Sequence, residues 1–160
     1  KLAGDRICQL ARRAAVFLGD VKYTEVADRY DGFARAVEDG GAKVLDVLPC
    51  GFTLESGHAA MHLALERHQG RIDAVFAASD AIAMGATRAL IEAGRQVPQQ
   101  VCVIGFDDAA SAQIFVPPLS TVRQEWHEGG RLLARKVLAM VQGEVARSEQ
   151  LPVSLILRET

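Results

Sequence analysis

Nothing in this sequence approaches the roughly 18 consecutive apolar residues that a membrane-spanning helix requires. Its first segment, KLAGDRICQLARR, scatters charges where a secretory leader would hold an unbroken apolar stretch, so neither a membrane protein nor an exported one is expected. A net charge of −2 supplies no basic field for a phosphate backbone, and the chain by itself is not expected to hold DNA. Three cysteines, Cys8, Cys50 and Cys102, stand far apart and in odd number. That argues against a disulfide framework or a thiolate zinc cluster and fits a reducing cytoplasm. The sequence has no P-loop, no G-x-G-x-x-G turn, no G-x-S-x-G elbow and no H-E-x-x-H helix, so neither an enzyme nor a cofactor is expected.

The remaining catalytic arrangements are weak. His58 and His62 lie four apart on an expected helix and could face one metal ion, but the sequence places no glutamate or cysteine to complete the set. A solvated helix face, without metal, is expected. Cys50 and His58 could be imagined as a thiol and its base; an ordinary loop cysteine is the better account. Asp107 and Asp108 fail as a glycosidase pair, because neighbours on a strand point to opposite faces.

What is present is an alternation. With 49% hydrophobic and 24% charged residues in 160, the chain can bury a sizeable core. Ala14 to Asp20, Lys43 to Pro49, Asp73 to Asp80 and Val101 to Asp108 are short apolar runs ending in Gly, Pro, Ser or Asp, and read as buried parallel strands. Between them lie three stretches of helical period. The first carries Val26, Tyr30, Phe33 and Val37 on one stripe and stops at Gly40-Gly41; the third starts with Ser79 or, more strongly expected, Asp80 as N-cap and stops at Gly94. This βαβ order predicts an α/β, doubly wound parallel sheet with ligand groups at the carboxyl ends of the strands. After Pro117-Pro118 come a strand-like LSTVRQ, a helix EWHEGGRLLARKVLAMVQG with Leu132, Leu133, Val137, Leu138 and Met140 on its apolar face, and a last strand in LPVSLILRET.

The segments RRAAVFLGD…RYDGFARAVEDGG, DAVFAASDAIAMGATRALIEAGRQVPQQVCVIGFDD, VPPLSTVRQEWHEGGRLLARKVLAMVQG and LPVSLILRET, in this order, resemble the C-terminal part of a LacI/GalR-family transcription regulator. PPLSTVRQ and LPVSLILRET resemble the lactose repressor branch in particular. The resemblance implies a type I periplasmic-binding-protein fold: residues 14–121 with 151–160 as the second subdomain, residues 122–150 as a crossover helix of the first, and the helix-turn-helix headpiece absent. It implies that Arg29 donates to the hydroxyls or a carboxylate of an effector, that Asp107 accepts from vicinal sugar hydroxyls, that Ser79 stands where many members have Asn, and that Phe52 and Trp126 present aromatic faces to a sugar. Asp108 is expected to cap or pair structurally. The expected function is effector binding, with a carbohydrate as the small-molecule partner, in a cytoplasmic repressor that forms a homodimer or higher homo-oligomer and meets operator DNA only through its headpiece. The alternatives are a periplasmic sugar-binding protein of a transporter and a purine- or nucleoside-responsive regulator of the same fold. The residues 109–116 resemble a dimerisation surface, and the exposed face of the Trp126 to Val141 helix should promote association.

Overall fold

The computed structural model describes residues 1–10 and 12–160. Six strands, β1 (Ala14–Leu18), β2 (Lys43–Leu48), β3 (Ala74–Ala77), β4 (Cys102–Asp107), β5 (Ser120–Gln124) and β6 (Val153–Ile156), form one sheet in the order β2-β1-β3-β4-β5-β6. Six helices accompany them: α1 (Leu2–Gln9), α2 (Thr24–Asp39), α3 (Leu54–His68), α4 (Asp80–Glu92), α5 (Ala110–Ile114) and α6 (Trp126–Val141). β1 to β5 run parallel and β6 returns antiparallel to β5.

The expected doubly wound sheet is thus present, with one antiparallel edge. The chain moves one way from β1 to β2 and the other way from β2 through β3 to β4. Right-handed crossovers then put α2 on one face of the sheet and α3 and α4 on the other. Cover on both faces explains why Ala74–Ala77 is buried at every residue and Ala14–Leu18 at all but the first. Edge strand β2 buries only Leu48 fully. On the α2 side, Phe17 meets Tyr30, Phe33 and Phe76 at ring-centroid distances of 5.3, 6.1 and 5.6 Å, and Val26 and Val37 of the expected stripe are fully buried beside them. α2 ends where Gly41 takes φ +73°, and α4 ends ahead of Gly94 at φ +72°, at the stops the sequence marks.

Some elements carry no clear sequence signal. α1 packs on α2 and sinks Ala3 and Ile7 into the core, so the packed unit begins ahead of Ala14. α4 is capped by Ser79, whose hydroxyl accepts from the Ile82 N–H at 3.3 Å. The favoured cap, Asp80, is instead turned inward, because Thr121 and the Ala109 N–H offer it buried donors. α6 forms over the expected span, yet none of its residues is buried among the described residues: Leu133, Val137, Leu138 and Met140 face solvent. No helix among the described residues is long and apolar enough to cross a membrane.

Candidate functional site

The point where the strand order reverses lies between β1 and β3, and an open α/β sheet leaves a crevice there at its carboxyl edge. Arg29, on α2, reaches into that edge. Its Nη1 donates to the Ala78 carbonyl just past β3 at 2.6 Å, and its guanidinium lies over the Phe106 ring of β4 at 3.9 Å from the centroid. Burial lowers the guanidinium's pKa, while the charges of Asp107 and Glu25 oppose the shift. A hydrogen bond and a stacking plane therefore fix a desolvated cation with donors to spare.

Asp107 ends β4. Its carboxylate accepts from Gln124 Nε2 at 2.8 Å, and its pKa is raised by burial against the opposing effects of Arg29 and Gln124. Asp108 goes elsewhere: Arg123 Nε and Arg158 Nη2 each donate to it at 2.6 Å, and only 4% of its side chain is exposed. Burial raises its pKa, but the two arginines prevail and hold it below the usual range. Backbone φ values of +111° at Asp107 and +56° at Asp108 turn the chain so that the two carboxylates part.

The other three expected site residues are spread along the same edge. Ser79 is buried and its oxygen serves the α4 cap. Trp126 opens α6, two residues past Gln124, and is 62% exposed. Phe52 follows β2 with its ring 6.0 Å from Tyr23. β2 lies three strand spacings from β4, so Phe52 stands roughly 14 Å along the row from Asp107. The structure therefore brings Arg29, Asp107 and Gln124 together, with Trp126 close by in the chain, and sets Phe52 at the far end of the row. A groove of about 480 Å³ opens beside this edge, lined by Gln124, Trp126, Leu133, Leu151 and Val153.

Paired donors and acceptors next to exposed aromatic faces suit a ligand with hydroxyls around an apolar body. Cys50 offers no competing chemistry: burial and the nearby Asp20 push its thiol up to about 11, and His58 is engaged with Glu92.

Residues 9–160 match the family described as Periplasmic binding protein-like domain. The transcriptional regulator CelR of Thermobifida fusca is 36% identical over 148 residues, which are 91% of this chain and 42% of CelR. The repressor PurR of Serratia proteamaculans is 35% identical over 127 residues, 78% of this chain and 37% of PurR. Among solved structures, the Lac repressor bound to ONPG superposes with a TM-score of 0.91 at 26% identity, covering 99% of this chain and 49% of that one. A CelR–cellobiose complex gives 0.89 at 33%, covering 98% and 49%. This chain is a periplasmic binding protein-like domain of the LacI family.

The relatives of this LacI-family domain are transcription regulators, not enzymes, and the domain corresponds to their effector-binding part. It spans less than half the length of the curated relatives it matches. Gln124 and Phe106 are the site-edge residues that sequence reasoning leaves out. Gln124 was findable, since parallel pairing of β4 with β5 sets Asp107 beside Arg123 and Gln124 is the next residue. The stacking of Arg29 on Phe106 depends on how α2 lies over the sheet and has no local signal.

Proposed function

We propose that this LacI-family domain supplies one wall of a sugar-effector cleft, and that effector binding changes the operator affinity of the intact regulator. The supporting observation is the Arg29, Asp107 and Gln124 group at the carboxyl edge of the sheet, beside the switch point. Asp107 accepts two vicinal hydroxyls, Arg29 donates to the oxygens flanking them, and Trp126 covers a C–H face of the ligand, while Phe52, at the far end of the row, meets only a ligand long enough to span it. Ser79 adds a short donor from the α4 cap. The neighbours described as bound to ONPG and to cellobiose favour a saccharide.

α1 through β5, with β6, act as the second subdomain in place of the expected bounds 14–121 with 151–160, and α6 belongs to the first, which would cover its apolar face. An effector that prefers one orientation of the two subdomains shifts the population competent for operator DNA. The intact protein works in the cytoplasm as a homodimer or higher homo-oligomer. Ile114 and Val116, 82% and 81% exposed in the residues 109–116, lie in the surface we assign to pairing.

The test is a thermal-shift screen of the intact regulator against mono- and disaccharides, sugar phosphates and purines, with Arg29→Ala in parallel. A bound ligand raises the midpoint by mass action. A saccharide should raise it in the parent and not in Arg29→Ala. A purine-responsive regulator of the same fold is the second reading. A shift with purines alone, or an unchanged response in Arg29→Ala, overturns the sugar site.

A further inference from the structure

The face opposite α2 carries a group of residues that the effector site does not use. His58 and His62 lie one turn apart on α3, their rings 4.6 Å apart and steeply inclined at 71°. Glu92, at the end of α4, points its carboxylate at both: Oε2 lies 2.6 Å from His58 Nε2 and 3.8 Å from His62 Nε2. The three ligand atoms fall within 4.8 Å of one another. The expectation of a bare solvated face missed this because Glu92 is 30 residues beyond His62 in the chain and arrives only through the packing of α4 on α3.

That packing is unusually close and stiff. A Cβ on Gly57 would sit 2.3 Å from the Ile82 carbonyl oxygen, and one on Gly85 2.0 Å from the Leu54 carbonyl oxygen. The two backbones touch at glycine on both sides, so the spacing of the helices that carry the histidines and Glu92 is set by the fold.

We propose that His58, His62 and Glu92 form a binding site for a zinc-class divalent transition-metal ion that ties α3 to α4. Two histidines and a carboxylate are a donor set zinc takes with a water in the fourth position. Bonds of about 2.0–2.2 Å in a tetrahedral shell hold ligand atoms roughly 3.3 Å apart. The His58 to Glu92 gap must widen by roughly 0.7 Å and the His62 to Glu92 gap must close by roughly 0.5 Å, which half-exposed side chains can do. The ion takes the place of the His58 to Glu92 hydrogen bond, with each histidine bound as the neutral imidazole.

Glu92 is ready for the role. Arg88 Nε donates to the other oxygen, Oε1, at 2.8 Å and orients the carboxylate while leaving Oε2 for the ion. The charge of Arg88 works against a cation. Magnesium and calcium, which prefer oxygen donors, should therefore fail where zinc succeeds.

Calorimetric titration of the chain with zinc, and with magnesium as control, decides it. One equivalent of zinc should bind and raise the thermal midpoint, and magnesium should do neither. His62→Ala and Glu92→Gln should each weaken zinc binding by about tenfold or more. Their metal-free circular dichroism should stay unchanged, since both positions are half exposed. Cobalt should show visible d–d bands without a thiolate charge-transfer band. Unchanged affinity in both variants, abolition by Cys50→Ser, or no saturable binding at millimolar zinc would each overturn the proposal.

Discussion

Asp107 and Asp108 divide between the proposed effector edge and the scaffold, both backbones sitting at positive φ. Asp108→Ala strands Arg158, whose side chain is 14% exposed, and should destabilise the domain by about 2–3 kcal/mol in urea unfolding. An unchanged unfolding midpoint would remove Asp108 from the scaffold. Asp80 makes the pH-sensitive contribution. Burial raises its pKa from 3.8 to about 6, despite hydrogen bonds from Thr121 and the Ala109 N–H. The folded state then binds the proton more tightly than the unfolded chain. This group's contribution to stability is full below about pH 4 and is lost as pH climbs through about 6. Asp80→Asn removes that slope, so relative to the parent it should gain on the order of 2 kcal/mol between those limits. Parallel pH profiles of the two proteins would show that Asp80 does not titrate there. The inward turn of Asp80 was not legible locally, since Ser and Asp are equally good caps and only the position of Thr121, 41 residues on, decides between them.

At the scale of elements, periodicity and stop signals located β1 to β5 and α2 to α4, because their apolar patterns face a core on one or both sides. α1 escaped since its eight residues bury only a narrow stripe, Ala3 and Ile7 with Gly4 between. The α3 and α4 pair depends on Gly57 and Gly85. Gly85→Ala forces a Cβ against the Leu54 carbonyl and should cost at least about 3 kcal/mol in chemical unfolding, whereas a loss under about 1 kcal/mol would mean the helices can part cheaply. α6 behaves oppositely. Leu138→Glu should leave the unfolding midpoint of this chain within about 0.5 kcal/mol of the parent while reducing self-association in sedimentation. If the parent sediments as a strict monomer at high concentration, the apolar face of α6 is not a contact surface in this chain.

For the whole molecule, the sheet architecture was readable because βαβ alternation permits few topologies. The candidate site was readable only in part. Arg29, Asp107 and Trp126 sit on motifs, but the stacking on Phe106, the donor Gln124 and the distance of Phe52 from Asp107 arise from strand order and helix placement. A cleft with one wall should hold a sugar weakly, so titration of this chain with a saccharide that binds the intact regulator should give markedly lower affinity. Equal affinity would mean the site is complete without α6's partner. α6 also has a mechanical consequence. It begins two residues after Gln124, the donor to Asp107, and extends 16 residues, about 24 Å, without a buried side chain to tether it. A lever pivoted that close to the candidate site multiplies small changes: a tilt of roughly 5° at its base carries the far end by roughly 2 Å, the size of displacement that packed interfaces convert into a switch.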